Sequence, residues 1–259
     1  MKRFTKERHI GDAAFVASQK SLNGAYSTHL HEFFEIEYFT EGSGVYVVDG
    51  VEYAIRPGML FLMTPLHFHS VRAKDCRVYN VMFSETLCDV RFLSCLLESG
   101  AEAVFEAQGS EKEFLDVMLR ELVQNLSKER YASYLLNAIL GKLSARRTAC
   151  RGLDAPTAKG VLYLIEHFRG DPSLAEVAEY AGYAPTYFSA LFKKETGVTF
   201  REYLDRLRFD HAKKLIETSD MTVIQVCRES GFSDYPNFVR RFKQRFGTSP
   251  GEWRTRIGG

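Results

Sequence analysis

The sequence predicts an α+β chain of two domains: a β-rich first half closed by two helices, then an all-helical second half. Three observations predict it. Strand-like runs in the first hundred residues are broken by Gly and Pro turns, as in a sandwich or barrel. Near residue 111 the apolar spacing becomes helical. Beyond residue 157 a helical pattern occurs twice, about 50 residues apart.

The β elements come first. Phe33–Phe39 is aromatic and β-rich, and Val45–Val48 and Val51–Ile55 flank Asp49-Gly50. A DG pair between such runs predicts a tight hairpin, because both turn residues need positive φ. Met59–Met63 and Arg77–Phe83 add strands. Phe114, Leu115, Met118, Leu119, Leu122, Val123 and Leu126 then recur at helical spacing, as do Tyr131, Tyr134, Leu135, Ala138, Ile139 and Leu143. The periodless stretch from Ser144 to Pro156 reads as a linker. The division is therefore residues 1–147, linker 148–157, and residues 158–259.

The second half carries an internal repeat. Ser173-Leu174-Ala175-Glu176 and Thr222-Val223-Ile224-Gln225 are capping boxes, in which the hydroxyl accepts a free backbone N–H and the side chain three residues on reaches back. Each opens a short helix ending in Gly plus aromatic, Gly182-Tyr183 and Gly231-Phe232. Phe188–Lys193 matches Phe238–Lys243, and both lead to a glycine, Gly197 and Gly247. Thr199–Glu202 and Ser249–Glu252 supply a second pair of boxes, with Pro250 just after its cap. Each unit, 173–197 and 222–247, is helix, short turn, helix. That is the helix-turn-helix pattern, whose second helix enters a major groove.

Composition excludes several classes. Hydrophobic residues make up 45% and charged residues 26%, so the chain is globular and not disordered or collagen-like. No run approaches the ~20 apolar residues of a membrane span, and the N-terminus has no apolar signal-peptide core. The five cysteines (Cys76, Cys88, Cys95, Cys150, Cys227) form no CxxC pair and read as reduced thiols of a cytoplasmic protein. Residues 158–259 carry 16 Lys and Arg against 13 Asp and Glu, while the first 157 carry 18 against 20. Phe238–Arg256 holds six basic residues and one acid, the start of a footprint for a polyanion.

At these residues a resemblance becomes specific. Gly182-Tyr183…Tyr187-Phe188…Leu191-Phe192-Lys193-Lys194-Glu195-Thr196-Gly197 resembles the first helix-turn-helix of the AraC/XylS transcription regulators. Gly231-Phe232-Ser233-Asp234…Phe238…Arg241-Phe242-Lys243…Gly247…Ser249-Pro250…Trp253-Arg254 resembles the second. The resemblance implies two helix-turn-helix units joined by one helix, about Phe200 to Thr218, roughly 28 Å long at 1.5 Å per residue. It implies recognition helices in successive major grooves, ~34 Å apart. The DNA-binding candidates are Thr186, Tyr187, Ser189, Lys193 and Lys194 in the first unit. In the second they are Tyr235, Asn237, Arg240, Arg241 and Lys243. Arg240 and Arg241 are expected to carry much of the affinity. The lysines suit phosphates better than bases. Two departures stand out: Ala184 sits where the family has a capping side chain, and Ala190 where it often has an Arg.

In the first half, His29-Leu30-His31-Glu32-Phe33-Phe34-Glu35, then Gly42, resembles the first cupin motif. Pro57-Gly58 and His69 resemble the second. Residues two apart share a strand face, so His29, His31, Phe33 and Glu35 are expected to point one way, as are His67 and His69. The candidate effector site is His29, His31, Glu35, Tyr46, His67 and His69. In metal-binding cupins the residues matching His29, His31, Glu35 and His69 hold a transition metal, and imidazole plus carboxylate suits iron, nickel, zinc or manganese. The expectation here is polar ligand contacts with no resident metal or other cofactor.

Three readings follow. The first is a sequence-specific DNA-binding regulator, not an enzyme, controlled by a small polar, sugar-like effector in a cupin-like barrel. Its expected partners are double-stranded promoter DNA, RNA polymerase and a second copy of the chain through the helices near 111–126 and 131–147, with no membrane. The second is a metal-dependent cupin enzyme with an appended helical domain. The third is an architectural DNA-binding protein without a ligand.

Overall fold

A computed structural model describes residues 2–4, 9, 15–84, 87–92, 104–146 and 153–257. The chain divides into two compact units, residues 1–158 and 159–259. Cys95, Cys150, Arg147 and linker residues 148–152 lie outside the described residues.

The first unit is a seven-stranded sheet: β1 (Lys2–Phe4), β2 (Phe15–His31), β3 (Phe34–Val48), β4 (Val51–Ile55), β5 (Met59–Met63), β6 (His69–Phe83) and β7 (Val104–Glu106). The order is β1-β2-β6-β3-β5-β7, with β4 also paired to β3. All pairs are antiparallel except β1 with β2. Strand β3 runs on through Phe39–Val45, longer than the two runs expected. Its first half pairs β5 and its second half pairs β4, with register shifts near Glu41 between them. Such irregularities bend a strand. The two halves then face each other: Tyr46, from the second half, stacks at 3.8 Å on Phe61 of β5. The expected hairpin forms, with Asp49 at φ 49° and Gly50 at φ 87°.

Helices α1 (Gly109–Gln124) and α2 (Glu129–Ser144) follow. They bury Leu115, Leu119 and Leu122, and Leu136, Ile139, Leu140 and Leu143. Leu115, Leu119, Leu122, Ile139 and Leu143 belong to the expected stripes, whereas Leu136 and Leu140 do not, and the expected Tyr131, Tyr134 and Ala138 are exposed. Leu126 falls beyond α1 and is exposed.

The second unit contains most of α3 (Ala155–His167), then α4 (Leu174–Ala181), α5 (Pro185–Thr196), α6 (Phe200–Thr218), α7 (Val223–Glu229), α8 (Tyr235–Phe246) and α9 (Pro250–Ile257). Helix α3 starts inside the stretch expected to be linker. All four capping boxes form. The second turn is longer: three residues separate α4 from α5, and five separate α7 from α8. Helix α6 buries Phe200, Leu204, Arg208, Phe209, His211, Ala212, Leu215 and Ile216, whereas Tyr203 and Leu207 are only half-buried. Arg208 is the charged member. Its Nε donates to Phe168 O at 2.8 Å and its Nη2 to Gly170 O, capping carbonyls just past the end of α3. Gly231 approaches the same turn: at φ +80° its Cα is so close that a Cβ would lie 2.8 Å from Phe168 O and 2.9 Å from Arg169 O.

Candidate functional site

The first site is a cavity of about 370 Å³ inside the sheet domain, lined by Phe4, Lys20, Leu22, Ala25, Tyr26, Ser27, His29, Glu35, Glu37, His69, Val71 and Asn80. Its floor is built from three adjacent strands. Strand β2 ends at His31, residues 32–33 turn the chain, and β3 begins at Phe34. The single strand expected to carry His29, His31 and Glu35 is therefore two strands with a turn. The three still approach, because β2 and β3 both pair with β6.

Glu35 is the hub. Its Oε2 lies 3.1 Å from His31 Nε2 and 3.5 Å from His69 Nε2, and its Oε1 accepts Asn80 Nδ2 at 2.6 Å. His31 Nδ1 is 2.7 Å from Phe33 O. A carbonyl only accepts, so Nδ1 carries the proton there and Nε2 is the atom turned to Glu35. Glu37, two residues on, accepts Tyr46 OH at 2.6 Å. Asn80 bridges the acids: its amide reaches Glu37 Oε1 at 3.4 Å, and its Oδ1 accepts Lys20 Nζ at 3.0 Å.

These contacts drive the two acids apart. Burial pushes Glu35 up, but His31, His69 and Asn80 outweigh it and hold the carboxyl well below the usual range. Burial and then the Glu35 charge push Glu37 up to about 8, so it holds a proton at pH 7. Burial, then the His31 charge, hold His69 well below the usual imidazole value, and it is neutral. The result is one carboxylate, one carboxylic acid and a neutral imidazole around one cavity, facing an ammonium.

The expected effector residues separate. His29, Glu35 and His69 line the cavity. His31 and Tyr46 are buried behind its wall, where Tyr46 stacks on His69 at 5.6 Å. His67 does not join them. Its Nδ1 accepts the Thr64 N–H at 3.1 Å, and its Nε2 is 4.0 Å from Asp49, so it braces a turn. Lys20, Glu37 and Asn80 were missed. The signal was there: two acids at period two in an apolar strand, and one amide inside the apolar run Val78–Phe83.

The metal-ligand alternative can be tested against the donors. His31, Glu35 and His69 are buried, and one ligand atom from each lies within 4.8 Å of the others. His29 does not complete the set of four: its Nδ1 faces Ser27 O at 2.9 Å and its ring meets His69 edge-on at 4.1 Å. A two-His, one-carboxylate set suits a divalent transition metal, and the three donors converge closely enough to fit one.

The second site is the pair of helices α5 and α8. Each has its apolar side buried, Phe188 and Phe192 in one and Phe238 and Phe242 in the other. Gly160 of α3 makes room for the first: a Cβ there would lie 2.4 Å from Phe188 Cζ. The opposite sides are open. Thr186, Tyr187, Lys193, Lys194, Tyr235, Arg240 and Lys243 are exposed, and Ser189 and Asn237 half-exposed. Ala184 caps α5 with no side-chain bond, whereas Asp234 caps α8 by accepting Asn237 N–H at 3.0 Å. Arg241 departs from expectation. Its guanidinium is turned inward, 2.6 Å from Asp205 and 5.2 Å above the Phe209 ring, so it holds α8 to α6. Arg245 likewise reaches Asp210 at 3.3 Å. Part of the basic cluster thus balances α6, and the outward cations of α8 are Arg240 and Lys243.

Comparison with known proteins finds a match for each half of the chain. Residues 15–143 match the AraC-like ligand binding domain, and residues 177–256 match a helix-turn-helix domain family. The HTH-type transcriptional activator RhaS of Escherichia fergusonii is 26% identical over 246 residues, covering 89% of this chain and 88% of that protein. The regulator YtdP of Bacillus subtilis is 35% identical over 95 residues, 36% of this chain, and the match spans only 12% of YtdP's own length. Among solved structures, the C-terminal domain of AraT, a response regulator from Geobacillus stearothermophilus, is 27% identical with a TM-score of 0.38, covering 40% of this chain and 86% of that one. No described helix is long and apolar enough to cross a membrane. With a ligand-binding family matched over its first half and a helix-turn-helix family over its second, the chain belongs to the AraC family of transcriptional regulators.

Proposed function

We propose that the chain regulates transcription by binding promoter DNA through α5 and α8 under control of a small polar effector in the sheet-domain cavity. The observation that carries this is the pair of matched helices, each with its apolar side buried and its polar side open. The cavity supports the effector half of the reading. It offers an ionised carboxylate, a protonated one, an ammonium, an amide and an imidazole, a set that suits several hydroxyls at once, as in a sugar-like molecule. The rings of Phe4 and Tyr26 add apolar surface.

The DNA contacts are assigned to Thr186, Tyr187, Ser189, Lys193 and Lys194 on α5, and to Tyr235, Asn237, Arg240 and Lys243 on α8. The chain acts as a homodimer in the cytoplasm, works on RNA polymerase and is not an enzyme. Support for the dimer is the exposed apolar surface on and beside α1 and α2: Val117, Tyr131 and Tyr134. Sedimentation of the full chain at micromolar concentration as a monomer would remove the dimer.

The main test titrates the full chain with promoter duplexes at several salt concentrations. A regulator shows a steep salt slope and discriminates among sequences. Equal affinity for all duplexes would leave the architectural reading. Thermal shift against a panel of small polar compounds finds the effector, because a binder raises the melting point by mass action. Glu35→Gln keeps the shape of the hub and removes its charge. It should weaken the effector's shift while sparing DNA binding; an unchanged shift would move the effector elsewhere. The metal-dependent enzyme reading is favoured only by the His31–Glu35–His69 cluster. Near-stoichiometric iron, nickel, zinc or manganese in untagged protein would revive it.

A further inference from the structure

The two recognition helices carry different chemistry at the same two positions. An offset of 50 residues sets Tyr187 against Asn237 and Ala190 against Arg240, with the buried anchors Phe188 and Phe192 against Phe238 and Phe242. Equivalent anchors mean that the compared side chains leave each helix from equivalent places.

On α8 the pair is polar. Arg240 is exposed, and its Nη2 donates to Asn237 Oδ1 at 2.8 Å, which steadies the guanidinium along the open face. On α5 the pair is apolar. Tyr187 is 57% exposed, and its ring stacks on Tyr183 at 5.3 Å and 19°. Ala190 beside it is an exposed methyl. Position 183 matches Phe232 in the second unit, but that ring is buried against Phe209 and Phe238, so an exposed aromatic support is private to the first. Lys193 and Lys243 match and are both exposed near the helix ends. The Lys193–Lys243 match gives the two units one candidate phosphate contact in common, whereas the two outward pairs differ.

In the major groove, guanine offers two acceptors that an arginine grips in bidentate fashion, and thymine offers its C5 methyl to apolar contact. A tyrosine ring beside an alanine methyl has no donor fork for guanine. It does offer a flat apolar surface, and the small Ala190 lets the helix come close. We infer that the operator is chemically asymmetric: α5 reads thymine methyls through Tyr187 and Ala190, and α8 reads a guanine edge through Arg240 held by Asn237. The inference rests on the DNA-binding reading above.

The experiment uses the full chain and a duplex pool randomised over about 20 base pairs, two helical turns. Selection should return thymines in one half-site and a guanine in the other. On the selected duplex, uracil in place of thymine deletes one methyl at a time. Each contacted methyl should cost about fourfold in affinity, the value of one buried methylene. Replacing the guanine with 7-deazaguanine, which lacks N7, should cost about tenfold in the other half. The double variant Tyr187→Asn with Ala190→Arg imports the α8 pair into α5 at two exposed positions. It should make the uracil replacements silent and select guanine in both halves. Wild-type binding indifferent to uracil, or an unchanged selected sequence from the double variant, would overturn the inference. If wild-type chain retained no duplex at all, the DNA-binding reading itself would fall, a distinguishable result.

Discussion

The sheet domain hides its working polar groups and the helical domain displays them. Glu35, Glu37, His69 and Asn80 are each under a tenth exposed, and they hold one another. Arg240, Lys243 and Tyr187 stand in solvent on helices whose stability comes from phenylalanines on the other side. In the sheet domain the candidate site and stability therefore share residues. In the helical domain they are separated by the width of a helix. Arg208 is the exception that sharpens the contrast, a buried charge in the displaying domain.

Six substitutions probe that contrast. Arg208→Leu should have the largest effect on stability. It uncaps the Phe168 and Gly170 carbonyls and should cost about 3 kcal/mol, read from denaturant unfolding. A loss below 1 kcal/mol would mean that water replaces the guanidinium.

Next comes Glu37→Gln, read against pH. The folded chain keeps a proton on Glu37 up to about 8, whereas the free carboxyl releases it near 4.5. Between those values the folded state binds more protons, so the stability from this group is full below 4.5 and is lost as pH rises toward 8. Glu35, held low, has the opposite sign: its contribution is present above 4.5 and is lost as pH falls further. Wild-type melting temperature should therefore decline by a few degrees from pH 5 to 8 through Glu37, and the glutamine variant should lose most of that slope. Parallel curves would place the proton elsewhere.

Ala184→Ser tests the uncapped start of α5 and should add about 1 kcal/mol, and Asp234→Ala should remove about as much from α8. Unequal effects would show that the two units do not share one cap energy. Last is Arg240→Ala. It should change stability by less than about 0.5 kcal/mol yet weaken operator binding by about 1–3 kcal/mol. Arg241→Ala should do the reverse, losing stability with Asp205 left unpaired.

Legibility followed the same division. The helical domain was readable because its signals are local: four boxes, C-cap glycines and phenylalanine pairs all sit within a few residues of what they fix. Its errors lay in distant pairings, above all Arg241 with Asp205 and Arg208 with the α3 carbonyls. The sheet domain was harder. Strand β2 was missed because its middle, Gln19-Lys20-Ser21, is exposed and shows no apolar alternation. Lys20 and Asn80 are 60 residues apart and meet only because β2 pairs with β6. The His31–Glu35 contact was anticipated for a reason that did not hold: the turn at 32–33, rather than strand alternation, brings the two together.

Helix α6 has a consequence for how DNA is measured. Phe192 packs on Phe200 and Tyr203 at one end. Arg241 and Arg245 tie α8 along its middle. On the proposed reading of DNA through α5 and α8, the helix is thus a ruler with a reader fixed to each side. Adding one base pair between half-sites turns the second groove by roughly 35° about the duplex axis, since about 10–10.5 pairs make a turn. A ruler cannot follow that rotation, so the DNA must twist or bend instead. Spacing then becomes a message in its own right: two operators with identical half-sites but one pair more or less between them are different words to this protein.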